Sequence, residues 1–521
     1  MHLGMSKSKN STSLYVLKST YNNGFHSTKI VEKLGTVEEL SKKLNGRDPI
    51  EWAKEHIAEL NRLEKEEKRE VMAKYSPVKQ IAKNQQRVFN GGYLFLQKFY
   101  YELGLSDLCG TLQKEHHLSY NLDAIFSRLI YTRLLHLDDE LSYYDNSCLF
   151  IEQPDFTPRQ ISRAMSVLAE EADTIRDYLY DSTRRLYGSG TDTLYYTTSI
   201  GLYESSHMEG FRGTVISLEE YYDSNLIPIG YTINPAHEAD PPLTENEKKI
   251  KEAFKDAPVI SLGDAGLTST ASPTFRDWGN PNQFMTVIPL NKFNAEEKRI
   301  ASDPSGWQCT SREGVFNLKE LKRRDELNDP SRCYFKDIRT GSQRTIIIFS
   351  VYENDLMMKQ RALVTNRSSL FAEPGPSRSN SNTAGISAIV TNILDESPIH
   401  LITLNNLRTD NLDRMRILAM EAAEMTDDMT EDERIRVHFI TTFTAEIVYM
   451  SLLKRTSGFQ KARSILHLLK NMNFMKIQSK GYIPLYTRSD LTDTMHDAVG
   501  FRTDYEIISN RQMNRLIRNK V

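Results

Sequence analysis

At 521 residues, with 39% hydrophobic and 26% charged side chains, the chain can bury a sizeable core and is long enough for about two to four domains. No apolar run approaches the roughly 18 residues that a membrane-crossing helix needs, and no charged-then-apolar leader opens the chain, so the expectation is a cytoplasmic protein. Net charge is only −3, yet residues 1–90 carry +6 and residues 454–521 carry +8, leaving −17 between them. Basic ends suit a polyanion, because each phosphate that is neutralised releases condensed counterions. Basic termini are also common in proteins with no such ligand.

In chain order, "SLYVLKSTY" and "FHSTKIVEKLG" read as strands joined through Asn22, Asn23 and Gly24, an Asn-Gly pair being favoured where a tight hairpin needs positive φ. Thr36 with Glu39 forms a capping box that opens one helix. Asp48-Pro49 opens another, since Asp can cap and Pro fits the first turn. Apolar residues then recur at helical spacing through "NLDAIFSRLIYTRLL", and Thr157-Pro158 starts a further helix, so residues 76–187 are expected to be helical. Near residue 190 the period becomes strand-like in "DTLYYTTSIGLY", "GTVISLEEYYD", "IPIGYTI" and "APVISLGD". Residues 276–344 are polar and read as an insertion before the strand "RTIIIFSVY". The Pro/Ser/Asn-rich stretch 371–385 reads as a mobile loop, "ISAIVTN" as a strand, and 396–455 as long helices. Cys109, Cys148, Cys309 and Cys333 make no CxxC pair or Cys/His cluster, and are read as small core residues.

Several stretches, in order, resemble one family: "SKNSTSLYVLKSTYNNGFHSTKIVEKLGT", "DPIEWAKEHIAELN", "FNGGYLFLQKFYYELGL", "GDAGLTST", "EDERIRVHFI" and "GYIPLYTRSDLTDTMHDAVGFRTDYEIIS" are similar to bacterial insertion-sequence transposases of the DDE type. The resemblance covers nearly the whole chain. It implies an α/β protein with a ribonuclease H-like mixed sheet flanked by helices, at 188–275 and 345–460. Before that core stand an N-terminal hairpin-and-helix module at 1–75 and an all-helical block at 76–187. The insertion at 276–344 falls within the core, and a basic region at 461–521 follows it. It further implies double-stranded DNA as partner, a homodimer as an assembly to test, a nucleoid-associated location in a bacterial cell, and Mg²⁺ or Mn²⁺ as cofactor if the chain is active. In such a core two Asp and one Glu hold two divalent ions, because hard cations take oxygen ligands and paired ions stabilise both attacking and leaving oxygens.

Asp264, in "GDAGLTST", matches the second Asp of that triad and is the metal ligand to expect if the chain is active. Thr197 fills the first Asp's slot and Leu412 the Glu's slot, neither of which can supply the charge. Asp413 is next to Leu412 but about 100° around a helix, and Asp192 lies an odd number of residues from Thr197, which turns it to the other face of a strand. Asp223 is a further displaced acid. His237, Glu238 and Asp240 in "INPAHEADPP" are a weak metal constellation, and Ser205, Ser206 and His207 follow no triad spacing. Lys18, Lys29, Lys33 and Arg408 are the candidate DNA contacts. Three functions stay open from these residues: a DNA-binding transposase-type protein with impaired or lost strand transfer, an active transposase using displaced acids, and an oligomeric structural protein without a DNA role.

Overall fold

Alternating apolar side chains build the first sheet. The computed structural model describes residues 1–7, 11–22, 25–44, 47–67, 71, 73, 76–78, 80–135, 141–188, 190–203, 214–235, 243–264, 283–324, 327, 332–351, 354, 385–415, 429–457 and 462–518, and it divides into two compact units, Met1–Ala82 and Lys83–Val521. In the first unit β1 (His2–Lys7), β2 (Thr12–Asn22) and β3 (Phe25–Thr36) form an antiparallel sheet in that order, with β2 and β3 paired down to Asn22 and Phe25. Leu14 and Val16, two apart on β2, are buried, as the period of two requires. Helix α1 (Val37–Lys43) opens on the Thr36–Glu39 capping box, and α2 (Pro49–Glu67) opens where Asp48 Oδ1 accepts the Ile50 N–H. Leu14, Leu40 and Ala53 pack these helices on the sheet.

The second unit starts with β4 (Val88–Asn90) and six helices: α3 (Tyr93–Glu102), α4 (Leu105–Glu115), α5 (Leu122–Leu135), α6 (Tyr143–Cys148), α7 (Pro158–Glu170) and α8 (Ala172–Tyr187). Thr157 caps α7 in a box with Gln160, as the Thr-Pro signal predicts. There follow β5 (Leu194–Tyr203), β6 (Thr214–Tyr222), β7 (Pro228–Pro235), α9 (Glu245–Ala253), β8 (Val259–Asp264) and β9 (Gln283–Pro289). After them come α10 (Ala295–Ser302), β10 (Gln308–Cys309), α11 (Leu318–Arg323), β11 (Cys333–Thr340), β12 (Gln343–Ser350) and β13 (Ile386–Thr391). The chain closes with α12 (Pro398–Met415), α13 (Glu431–Arg455), α14 (Ala462–Asn471), β14 (Asn473–Ile477), β15 (Gly481–Pro484), α15 (Asp490–Val499), β16 (Ile508–Ser509) and α16 (Asn510–Arg518).

Among the described residues, nine strands join one mixed sheet in the order β10-β11-β12-β13-β9-β8-β5-β6-β7. Only β5–β8 and β8–β9 are parallel. Residues 276–344, expected as an irregular insertion, instead supply β9 at the centre of this sheet and β10 and β11 at its far end. Neither "QFMTVIP" nor "CYFKDIRT" alternates strictly between apolar and polar residues, so the period of two that marks a half-buried strand is not legible in them. The helical block and the sheet also do not form separate cores, because one cluster of buried side chains runs from Phe89 through Leu262 and Ile389 to Met513.

The sheet is covered on both faces. On one, Tyr231 packs on Phe439 and Phe443 of α13. On the other, Leu194, Tyr196 and Tyr221 pack with Tyr180 of α8, with Ile250 of α9 and with Phe254 at its C-terminal end. Cys109, Cys309 and Cys333 are buried core residues as expected, whereas Cys148 is half-buried. The stretch 371–385 lies outside the described residues except for Gly385. No described helix is long and apolar enough to cross a membrane.

Candidate functional site

Parallel pairing of β5 with β8 sets Thr197 beside Leu262, so the backbone of Asp264 lies two residues further along the neighbouring strand. Strand spacing and rise put the two Cα atoms about 8 Å apart. Thr197 is 1% exposed, and its Oγ1 finds no hydrogen-bond partner among the described residues. An orphaned buried hydroxyl costs about 1–3 kcal/mol. Helix α12 lies on the same face, where His400 Nε2 meets Tyr195 Oη at 3.1 Å. Leu412 and Asp413 are on the last turn of this helix. Their side chains, and that of Asp264, lie outside the described residues, as do His237, Glu238, Asp240, Ser205, Ser206 and His207.

Of the displaced acids the sequence suggested, Asp192 and Asp223 do not reach Thr197, whereas Glu220, which it did not suggest, stands opposite it. Asp192 is exposed in the turn before β5, five residues and about 16 Å from Thr197 along the chain. Asp223 is buried, but its Oδ1 accepts the Asn225 and Ile227 N–H groups at 2.9 and 3.0 Å, so it folds the turn between β6 and β7. Burial pushes the pKa of Asp223 up, against those hydrogen bonds. Directly opposite Thr197 stands Glu220 of β6, and opposed residues of an antiparallel pair share a face. Tyr222 Oη lies 3.3 Å from Glu220 Oε2 and 3.0 Å from Oε1 of Glu446, which α13 supplies. The sequence signal for Glu220 was "LEEYY": two adjacent acids inside a strand point to opposite faces, and both faces here are covered by helices. Glu446 gave no such signal, being a lone acid in the stretch of α13 that follows Glu433.

Two divalent ions need several clustered anionic oxygens. Thr197, Asp264 and Leu412 offer one hydroxyl, one carboxylate and one aliphatic chain, a donor set that does not fit a pair of Mg²⁺ or Mn²⁺ ions. Glu220 and Glu446 add carboxylates on the Thr197 face, but at 2% and 1% exposure they are closed off from a phosphodiester.

Among the proposed DNA contacts, Lys29 and Lys33 are exposed and Lys18 is half-buried, with Lys18 and Lys29 directly opposed across β2 and β3. Arg408 is different: at 4% exposure its guanidinium lies in the core, so it is not a surface phosphate contact. Its place on α12, packed against α13, explains the burial.

One further group has metal-ligand spacing. Asp493, His496 and Asp504 have ligand atoms within 4.8 Å of one another. Their valences are already met: Arg502 donates Nε to Asp504 Oδ1 at 2.9 Å and also contacts Asp493, while Arg488 holds both Asp493 oxygens at 3.0 and 3.2 Å. His496 Nε2 accepts the Thr503 N–H at 3.0 Å, and burial lowers its pKa. Two guanidinium groups among two carboxylates repel a cation, so this is an ion network that pins the C-terminal segment. No protein-family model and no curated protein matches the chain.

Proposed function

We propose that the chain is a DNA-binding protein of the transposase type, with a ribonuclease H-like core and impaired or lost strand-transfer chemistry. The observation that supports this reading is the β5–β8 pairing. Ligands of shared ions must converge, and the two slots at 197 and 264, far apart in sequence, lie on adjacent central strands about 8 Å apart. What stands in the first slot is a hydroxyl, and what stands opposite it is a buried glutamate. The catalytic loss follows from charge, because a lone carboxylate binds Mg²⁺ weakly and forms no two-ion clamp. DNA binding draws support from the basic ends, +6 over residues 1–90 and +8 over residues 454–521.

The test is metal-dependent cleavage. Purified protein with Mg²⁺ or Mn²⁺ should neither nick supercoiled DNA nor join ends, and Asp264→Ala should leave DNA affinity almost unchanged. Mg²⁺-dependent cleavage abolished by Asp264→Ala would overturn the reading.

A further inference from the structure

The opposite face of the sheet carries a second buried oxygen cluster, away from positions 197 and 264. Glu219 and Tyr221 alternate with Glu220 and Tyr222 along β6, and the register sets Glu219 opposite Thr232 and Tyr221 opposite Gly230 of β7. Helix α9 lies over these strands and contributes Asn246 and Glu247, both fully buried, while Glu219 and Thr232 are each 4% exposed. Gly230 admits the helix: a Cβ there would meet Asn246 Oδ1 at 2.2 Å. Tyr221 Oη is 2.8 Å from Glu247 Oε1 and 3.1 Å from Glu219 Oε2, so one phenol proton stands between two carboxylates. Glu247 Oε2 is held separately by the Thr244 N–H at 2.7 Å.

Two polar side chains beside these carboxylates are orphaned. Neither amide atom of Asn246 and not the Oγ1 of Thr232 makes a hydrogen bond among the described residues. The Asn246 amide reaches onto Gly230, whose cross-strand neighbour is Tyr221 and which lies two residues from Thr232, so both orphans lie on the same face of the sheet as the two carboxylates. Folded proteins rarely keep buried polar atoms dry, at about 1–3 kcal/mol each, so a partner is called for.

We propose that this pocket binds one divalent cation of calcium's size, held by the carboxylates of Glu219 and Glu247 with Asn246 Oδ1 and Thr232 Oγ1. Carboxylate, amide and hydroxyl oxygens are the donors a hard cation takes. Calcium suits walls of fully buried side chains better than Mg²⁺, which sheds its water reluctantly. The ion gives the Asn246 and Thr232 oxygens their partner. It thereby pins α9 to β6 and β7, fixing the crossover into β8. The site is independent of the DNA reading and does not rest on it.

Terbium, which replaces calcium at oxygen sites, is excited by a nearby tyrosine, and Tyr221 lies in this pocket. Titrating the EDTA-treated full chain with Tb³⁺ should give saturable, single-site sensitised emission that Ca²⁺ displaces. Thr232→Val, which removes one oxygen at constant volume, should weaken binding about tenfold or more. The Glu219→Gln, Glu247→Gln double variant should abolish it, and Glu220→Gln, on the other face, should not change it. If the double variant fails to fold, Thr232→Val alone decides. Absence of saturable emission, or emission with the same affinity in Thr232→Val, would overturn the proposal, the second result placing the ion elsewhere on the acidic surface.

Discussion

At position 197 the protein holds a β-branched hydroxyl in a wholly buried place, and its neighbour across the strand pair is a carboxylate. Those two facts set what substitution there does. Thr197→Val keeps the shape and removes an orphaned hydroxyl, so it should raise stability by about 1 kcal/mol. Thr197→Asp, the change that refills the first acid slot, instead sets a carboxylate within about 5 Å of Glu220 in the core. Without metal it should destabilise by about 3 kcal/mol or more, and adding Glu220→Gln should recover much of that loss. Urea midpoints of the four chains measure both effects. Equal stability of Thr197→Asp and the parent would mean that the Glu220 carboxylate is not where the register sets it. Any acid placed at position 197 must therefore contend with the Glu220 carboxylate across the strand pair.

Elements were legible where their signals are local. The Thr36–Glu39 and Thr157–Pro158 helix starts, the β2–β3 hairpin and the run of strands after residue 190 follow from caps, turn residues and period, each read within about four residues. Strand β9 was not legible, because its seven residues are only partly apolar and its place between β8 and β13 depends on partners far away in the chain. The candidate site divides in the same way. Thr197 and Asp264 were found through the resemblance, but Glu446 meets Tyr222 across 224 residues, a pairing that no local pattern carries. The "FNGG" run shows a local motif fixed by distant structure: Asn90 Nδ2 donates to the Leu469 and Lys470 carbonyls, both at 3.0 Å, and a Cβ at Gly92 would lie 2.1 Å from the Leu469 carbonyl oxygen. That oxygen belongs to the backbone of α14 and cannot swing aside. Gly92→Ala should therefore cost about 2–4 kcal/mol, read as a lowered urea midpoint, and an unchanged midpoint would show that α14 yields freely.

For the whole molecule, charge is the property that joins structure to function. At the C-terminal end, hydrogen bonds from Arg488 and Arg502 hold the Asp493 carboxyl below the usual carboxylate range, and Arg502 does the same for Asp504. Folded-state values below the unfolded ones give stability that is complete above the unfolded range and is lost as pH falls through the folded values, below about 4. The parent should lose stability on acidification more steeply than Arg502→Gln, and parallel pH profiles would rule out this network as the cause. At the other end, the unit Met1–Ala82 carries Lys18, Lys29 and Lys33. The central claim is that this protein holds duplex DNA without the chemistry to cut it, and the most direct measurement is affinity for duplex DNA across a salt series. The parent should bind saturably at low salt, with log affinity falling linearly against log salt. Replacing Lys18, Lys29 and Lys33 together by Gln should reduce that slope by about 2 to 3, close to 0.9 for each phosphate that is no longer neutralised. No saturable binding by the parent at low salt, or an identical slope in the triple variant, would contradict the account.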